Sequence, residues 1–188
     1  MSAPSSSFEV QAAIVAVLEI AGVMPVAEIP VLRRRPKEKE SDIQAAIAKA
    51  KICVYVMPPD PTHALQGTPF LFYDSYEIRL RIVEQTPIND TGTDAYEVSD
   101  SIAQALHYAP HRHIEAAVQA AMTANSIDQE AALALVRQDP KVQPYFTLAQ
   151  FFQTPIQIAQ RPFETVEDPK LRIRDAVFIG QLQVNAET

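Results

Sequence analysis

The chain has 188 residues, 47% hydrophobic and 21% charged, with 16 Lys and Arg against 23 Asp and Glu and a formal net charge of −7. A chain of this length buries roughly 70% of the surface its unfolded form exposes, so it needs no staples, and its composition is far from that of disordered chains. The negative balance repels phosphate backbones at long range. There is no run of about eighteen apolar residues to span a membrane, and no basic start with an apolar core to form a signal peptide.

The single cysteine, Cys53, cannot close an intramolecular disulfide, and its apolar surroundings mark it as a small buried side chain. A reducing cytosol, or a virion assembled there, is consistent with that usage. Gly22, Gly67, Gly92 and Gly180 are isolated from one another, which removes phosphate-cradling loops and the nucleophile elbow.

Ser6 and Glu9 stand at capping-box spacing, and Val10, Ile14, Val17, Leu18 and Ala21 then recur on one helical face, predicting a first helix that ends near Gly22. Residues 23–40 hold Pro25, Pro30, Pro36 and the run from Arg33 to Glu40, which predicts an exposed, mobile loop. Ser41 with Gln44 repeats the capping box, and Ile43, Ala46, Ile47 and Ala50 predict a short second helix. The apolar run from Ile52 to Met57, closed by Pro58, Pro59 and Pro61, predicts an interior strand followed by a Pro-rich loop.

Phe72, Tyr76, Ile78, Leu80 and Ile82 alternate with Tyr73, Ser75, Glu77, Arg79 and Arg81, a period of two with one wet face. The loop from Gln85 to Thr93 contains Pro87, Asn89, Asp90 and Gly92; Asp94 and Glu97 then open a helix with Ala95, Val98, Ile102, Ala105 and Leu106 on one face. Residues 113–138 read as two alanine-rich helices interrupted near Asn125, with Ser126 and Gln129 as a fresh capping box. Beyond Pro140 and Pro144 the pattern turns β, with two or three strands carrying Ile156, Ile158, Leu171, Ile173, Ala176, Phe178, Leu182 and Val184. The order predicts one α+β domain over residues 1–188: a mostly antiparallel sheet of four to five strands with helices packed on it, and residues 111–153 as a helical insertion.

The pattern contains no catalytic constellation, and no cofactor or metal is expected. His107, His111 and His113 are close in sequence, and His113 with Glu115 has the His-x-Glu look of zinc deaminases, but that signature needs two further cysteines. Asp94, Glu97 and Asp100 complement a helix dipole rather than form an acid–base pair. Glu77, Arg79, Arg81 and, less clearly, Glu84 either pair across strands on a solvated face or meet another subunit. The run Arg33, Arg34, Arg35, Lys37 and Lys39, with glutamates between, describes a solvated or partner-contacting loop or a local phosphate contact. Phe70, Phe72, Tyr73 and Tyr76 fit a buried strand better than a base-stacking platform.

The residues from Tyr76 to His107, an alternating strand, a polar loop and a helix ending in Ala105-Leu106, resemble the tail-terminator and tail-completion proteins of tailed bacteriophages. The first helix and the closing strand from Ala176 to Val184 fall where that family places its own. The resemblance implies a virion structural protein and not an enzyme. It would be a homo-oligomeric ring, usually a hexamer, on the end of the tail tube, which it stops from growing and joins to the head-side connector, with DNA sliding through the lumen. Such a protein is assembled in the host cytoplasm and resides in the tail or neck. Contact residues on this reading are Arg33, Arg34, Arg35, Lys37, Glu77, Arg79, Arg81, Asn89 and Asp90. Residues 111–153 have no place in the compact form of the family, so other neck or tail-associated roles stay open. So do two further readings: a small metal-dependent hydrolase using the three histidines, and a cytosolic binding module.

Overall fold

The computed structural model describes residues 7–20, 22–26, 29–33, 39–58, 60–62, 72–152, 154–168 and 170–184. Among them α1 (Ser7–Leu18), β1 (Val31–Arg33), α2 (Glu40–Lys49), β2 (Ile52–Val56) and β3 (Asp60–Thr62) lead into the long β4 (Phe72–Glu84). There follow α3 (Ala95–Leu106), α4 (His111–Asn125), α5 (Gln129–Val136) and α6 (Gln143–Ala149), then β5 (Gln157–Asp168) and β6 (Leu171–Val184). This is the α+β class expected, with a six-stranded sheet ordered β1-β2-β4-β6-β5 and β3 pairing the far half of β4. All of its pairings are antiparallel except β1 with β2, which α2 connects.

The period of two in β4 sorts its side chains as pattern demands: Ile78, Leu80 and Ile82 are fully buried while Arg79 is exposed. On the same face, Ile52, Val54 and Val56 of β2 and Ala176 and Phe178 of β6 complete the sheet side of the core. Helices α1, α3 and α6 cover it. In α1 the burial runs nearly all round the helix, taking in Val10, Gln11, Ala13, Ile14, Val15, Val17 and Leu18, as an apolar helix inside a core requires. The Gln11 amide donates to the Val56 carbonyl at 2.6 Å and so satisfies a sheet carbonyl within the core.

Several expectations are corrected. Residues 31–33, expected in the loop, form β1 because Val31 and Leu32 find parallel partners in Val54 and Tyr55. Pro61, expected in a loop, lies in β3, paired with Tyr76. Helix α2 starts one residue before Ser41, at Glu40, with Lys39 in the cap position and no side-chain capping bond. Ser126 is not a cap for α5: it ends α4 in the left-handed region at φ 52°, and Asp128 caps α5 by accepting from the Ala131 N–H. The segment after Pro140 is helical before it is β, since Pro144 sits in the first turn of α6, where its missing N–H costs nothing.

The expected insertion, 111–153, divides in two. Tyr145 and Leu148 of α6, with Phe152, belong to the main core. Helices α4 and α5 instead share a satellite cluster around Val118, Ala132 and Val136.

Candidate interface: the outer sheet face and the β4–α3 loop

The face of the sheet turned away from α1 and α3 carries Glu77, Arg79, Arg81 and Val83 from β4, opposite Ile179, Val177, Asp175 and Ile173 of β6. Glu77 and Arg79 pair with each other at 2.8 Å, with side chains 34% and 45% exposed. Such a pair is worth little to stability and remains available to a partner. Arg81, for which the pattern left a cross-strand pair and a subunit contact both open, makes the cross-strand pair. Its Nε and terminal N–H groups bind both oxygens of its cross-strand neighbour Asp175 at 2.8 Å each, and that carboxylate is only 2% exposed. A fork of this kind is the arrangement in which arginine satisfies a buried carboxylate, and the bond to Asp175 holds the Arg81 guanidinium even more firmly protonated than usual.

Beside this face, Tyr55 and Cys53 of β2 are buried. Burial pushes the Cys53 thiol up to about 11, so it is a packed group and not a nucleophile.

The loop joining β4 to α3 is built around Glu84, at the last position of β4 and 4% exposed. Its Oε1 accepts from Asn89 Nδ2 at 2.9 Å, and its Oε2 accepts from the Ala95 N–H and from Arg172, each at 3.1 Å. One carboxylate thereby ties strand end, loop, helix start and β6. Asn89 also donates to the Thr93 carbonyl and accepts from Thr91 N–H and Oγ1. Its amide is therefore an organiser of the loop, and Gly92, at φ 77°, supplies the left-handed residue that the turn needs. Asp94 caps α3 by accepting from the Tyr96 and Glu97 N–H groups at 2.9 Å, and the Glu97 carboxylate accepts from the Thr93 hydroxyl.

The loop is also clipped to α2. Gln85 donates its amide to the carbonyls of Ala48 and Ala50 at the end of that helix, and Lys51 binds Asp90 at 2.6 Å. Lys51, by hydrogen bond and by charge, holds the exposed Asp90 carboxyl below its usual range. The fixed loop also turns Ile88 outward, 49% exposed.

Next to the loop, the Tyr96 ring lies 3.9 Å from the Arg174 guanidinium and 5.2 Å from that of Arg172, and its hydroxyl donates to Glu164 of β5 at 3.0 Å. Cation–π contact and hydrogen bond fix an aromatic residue that stays 44% exposed.

Among the described residues the edge strands are unsuited to adding strands: β1 and β3 have three residues each, and β5 holds Pro162 and shifts register three times along β6.

Of the expected contact residues, the fold brings Glu77, Arg79 and Arg81 onto one face, and Asn89 and Asp90 into one loop beside it. Arg33 stands at the opposite margin in β1, half-exposed, while Arg34, Arg35 and Lys37 lie outside the described residues. Tyr96, Arg172, Arg174 and Asp175 escaped the sequence reading. The available signal was the pair Arg172 and Arg174, set in register with Ala176 and Phe178 on the face that is otherwise core.

The histidines are separated by the fold. His107 packs on Tyr108 with ring centres 4.0 Å apart, His113 stacks on Tyr145 at 4.2 Å, and His111 is exposed. Among the described residues no three His, Cys, Asp or Glu side chains are placed to share a metal ion. Likewise no described helix is long and apolar enough to cross a membrane. The chain matches no protein-family model and no curated protein.

Proposed function

We propose that the chain is a virion structural protein that forms a closed ring, of six copies, at the end of a phage tail tube. There it stops tube polymerisation and joins the tail to the head-side connector, while DNA passes through the lumen without specific binding. The observation that carries this reading is a division of surfaces. The strand margins are blunted against pairing, whereas the outer face and the stapled β4–α3 loop hold exposed charged and apolar groups in fixed positions. A ring needs unlike surfaces that close by rotation and do not grow into filaments, and such surfaces supply contact without strand addition. The acidic balance of the chain suits a lumen from which DNA must slide free.

Native mass spectrometry and electron microscopy of the chain, alone and with tail-tube subunits, test the proposal. Rings at the ends of tubes, with shorter tubes when the chain is in excess, are the expected result. A chain that stays monomeric at high concentration and leaves tube length unchanged overturns it.

A second reading, another neck or tail-associated joint, is favoured by the α4–α5 pair. It has its own small core, and Leu135 is 49% exposed on it, a surface suited to a neighbouring virion protein. Capture of the connector without any effect on tube length would select this reading.

A further inference from the structure

Where α3 turns into α4, the chain forms a notch of about 360 Å³ that neither the outer face nor the β4–α3 loop uses. Ile20 and Val23, beyond the end of α1, give it apolar walls, and Gln104, Arg112, His113 and Tyr145 give it polar ones. The turn is held rigidly. Tyr108 takes a left-handed φ of 60°, a costly conformation for a bulky residue. Two bonds to Ile156, from the Tyr108 N–H at 2.8 Å and to the Ala109 carbonyl at 2.7 Å, pin it beside the lead into β5.

Arg112 is the charged side chain of the notch. Its guanidinium donates to the Gln104 carbonyl and lies 3.1 Å from His113 Nε2. An arginine can only donate, so in the tautomer that completes this bond Nε2 accepts. None of the ion pairs among the described residues gives Arg112 a carboxylate, and an arginine has five N–H groups to satisfy. Tyr145 adds a phenol, a hydroxyl donor in its protonated form, whose pKa burial pushes up to about 12. Among the described residues the notch therefore combines apolar walls with donors and one positive charge that no carboxylate pairs, and its lining includes no acid.

We propose that this notch binds a carboxylate, held by the free N–H groups of Arg112 and the hydroxyl of Tyr145. The carboxylate belongs either to a small free acid or to an acidic side chain of a second copy of the chain. The site stands independently of the ring reading, because neither its residues nor its chemistry draws on the outer face.

The test is an NMR titration of the His113 imidazole in the intact chain, with acetate against chloride at constant ionic strength. Acetate should shift the His113 signals saturably and raise the pH at which the ring protonates, since an anion beside it favours the charged form. Arg112→Gln should weaken apparent binding about tenfold, and Arg112→Lys should restore part of it. Arg112 is exposed, so these variants should keep the fold, and Tyr145→Phe gives a second, isosteric check on the donor. If His113 also shifts with protein concentration alone, and acetate reverses that shift, the natural carboxylate is on a second copy; otherwise it is the free acid. A response to acetate no different from that to chloride overturns the proposal, as does an Arg112→Gln variant that binds acetate as the unaltered chain does.

Discussion

Replacing Glu84 by Gln tests whether one carboxylate staples the β4–α3 loop. The glutamate holds three donors: Asn89 Nδ2 on one oxygen, and the Ala95 N–H with Arg172 on the other. A glutamine has one oxygen. If that oxygen faces Ala95 and Arg172, its NH₂ meets the Asn89 NH₂, donor against donor. If it faces Asn89, both other donors lose their acceptor. In the better orientation one buried donor goes unmet, at about 1–3 kcal/mol, and the bond to Arg172 drops from charge-assisted to ordinary, at about 1 kcal/mol more. The total expected loss is about 2–4 kcal/mol. For a domain of this size a urea m-value of about 2–3 kcal/mol/M converts that into a fall of about 1–2 M in the unfolding midpoint, with m unchanged. A double-mutant cycle with Arg172→Met should recover about 1 kcal/mol or more as coupling. A Glu84→Gln variant within about 0.5 kcal/mol of the parent, uncoupled to Arg172, would refute the staple, since that is the range of ordinary surface changes.

Other perturbations separate the remaining claims. A methyl group at Gly180 would overlap Cε1 and Cδ1 of the buried Phe152 ring, so Gly180→Ala should cost about 1–3 kcal/mol in chemical denaturation, and much less in a Phe152→Leu background. His113 is held below its ordinary 6.5, first by burial and then by the Arg112 charge. The unfolded chain therefore takes up that proton first, and stability should fall as pH drops below about 6.5 until the folded ring itself protonates. Melting curves of His113→Gln should lose that part of the pH dependence; an unchanged profile would show that the imidazole is not perturbed. Ile78 is fully buried while its neighbour Arg79 is exposed. Ile78→Asp should abolish folding by circular dichroism, and Arg79→Glu should stay within about 0.5 kcal/mol while altering the native mass of the assembly. Equal unfolding by both would refute the sidedness of β4.

The elements legible in the sequence are those whose signal is local. β4 announces itself by strict alternation, α3 by Asp94 and Glu97 before an apolar face, and β2 by an unbroken apolar run, and each lies where its pattern put it. β1 and β3 have three residues each and exist because β2 and β4 offer them open partners, which no short window can reveal. Pro144 misled because a proline that breaks a helix interior is harmless in a first turn. The site was legible only in part for the same reason. The loop and the outer face follow from turn residues and alternation, but Arg81 with Asp175 and Glu84 with Arg172 are 94 and 88 residues apart. Period alone counts Arg81 as solvated; only the strand beside it decides otherwise.

The order β2-β4-β6 also has a kinetic meaning. β4 and β6, the two longest strands, are consecutive in the sheet yet separated by all the helices from α3 to α6. Closing a flexible loop of 88 residues, the span from Glu84 to Arg172, would cost about 4 kcal/mol of chain entropy before any rung of that ladder formed. Helices form fast from near neighbours, so α3 to α6 shorten the span that the two strands must bridge. The slow step of folding should then be the zipping of β6 onto β4, and its first rungs should be those nearest the bond between Glu84 and Arg172.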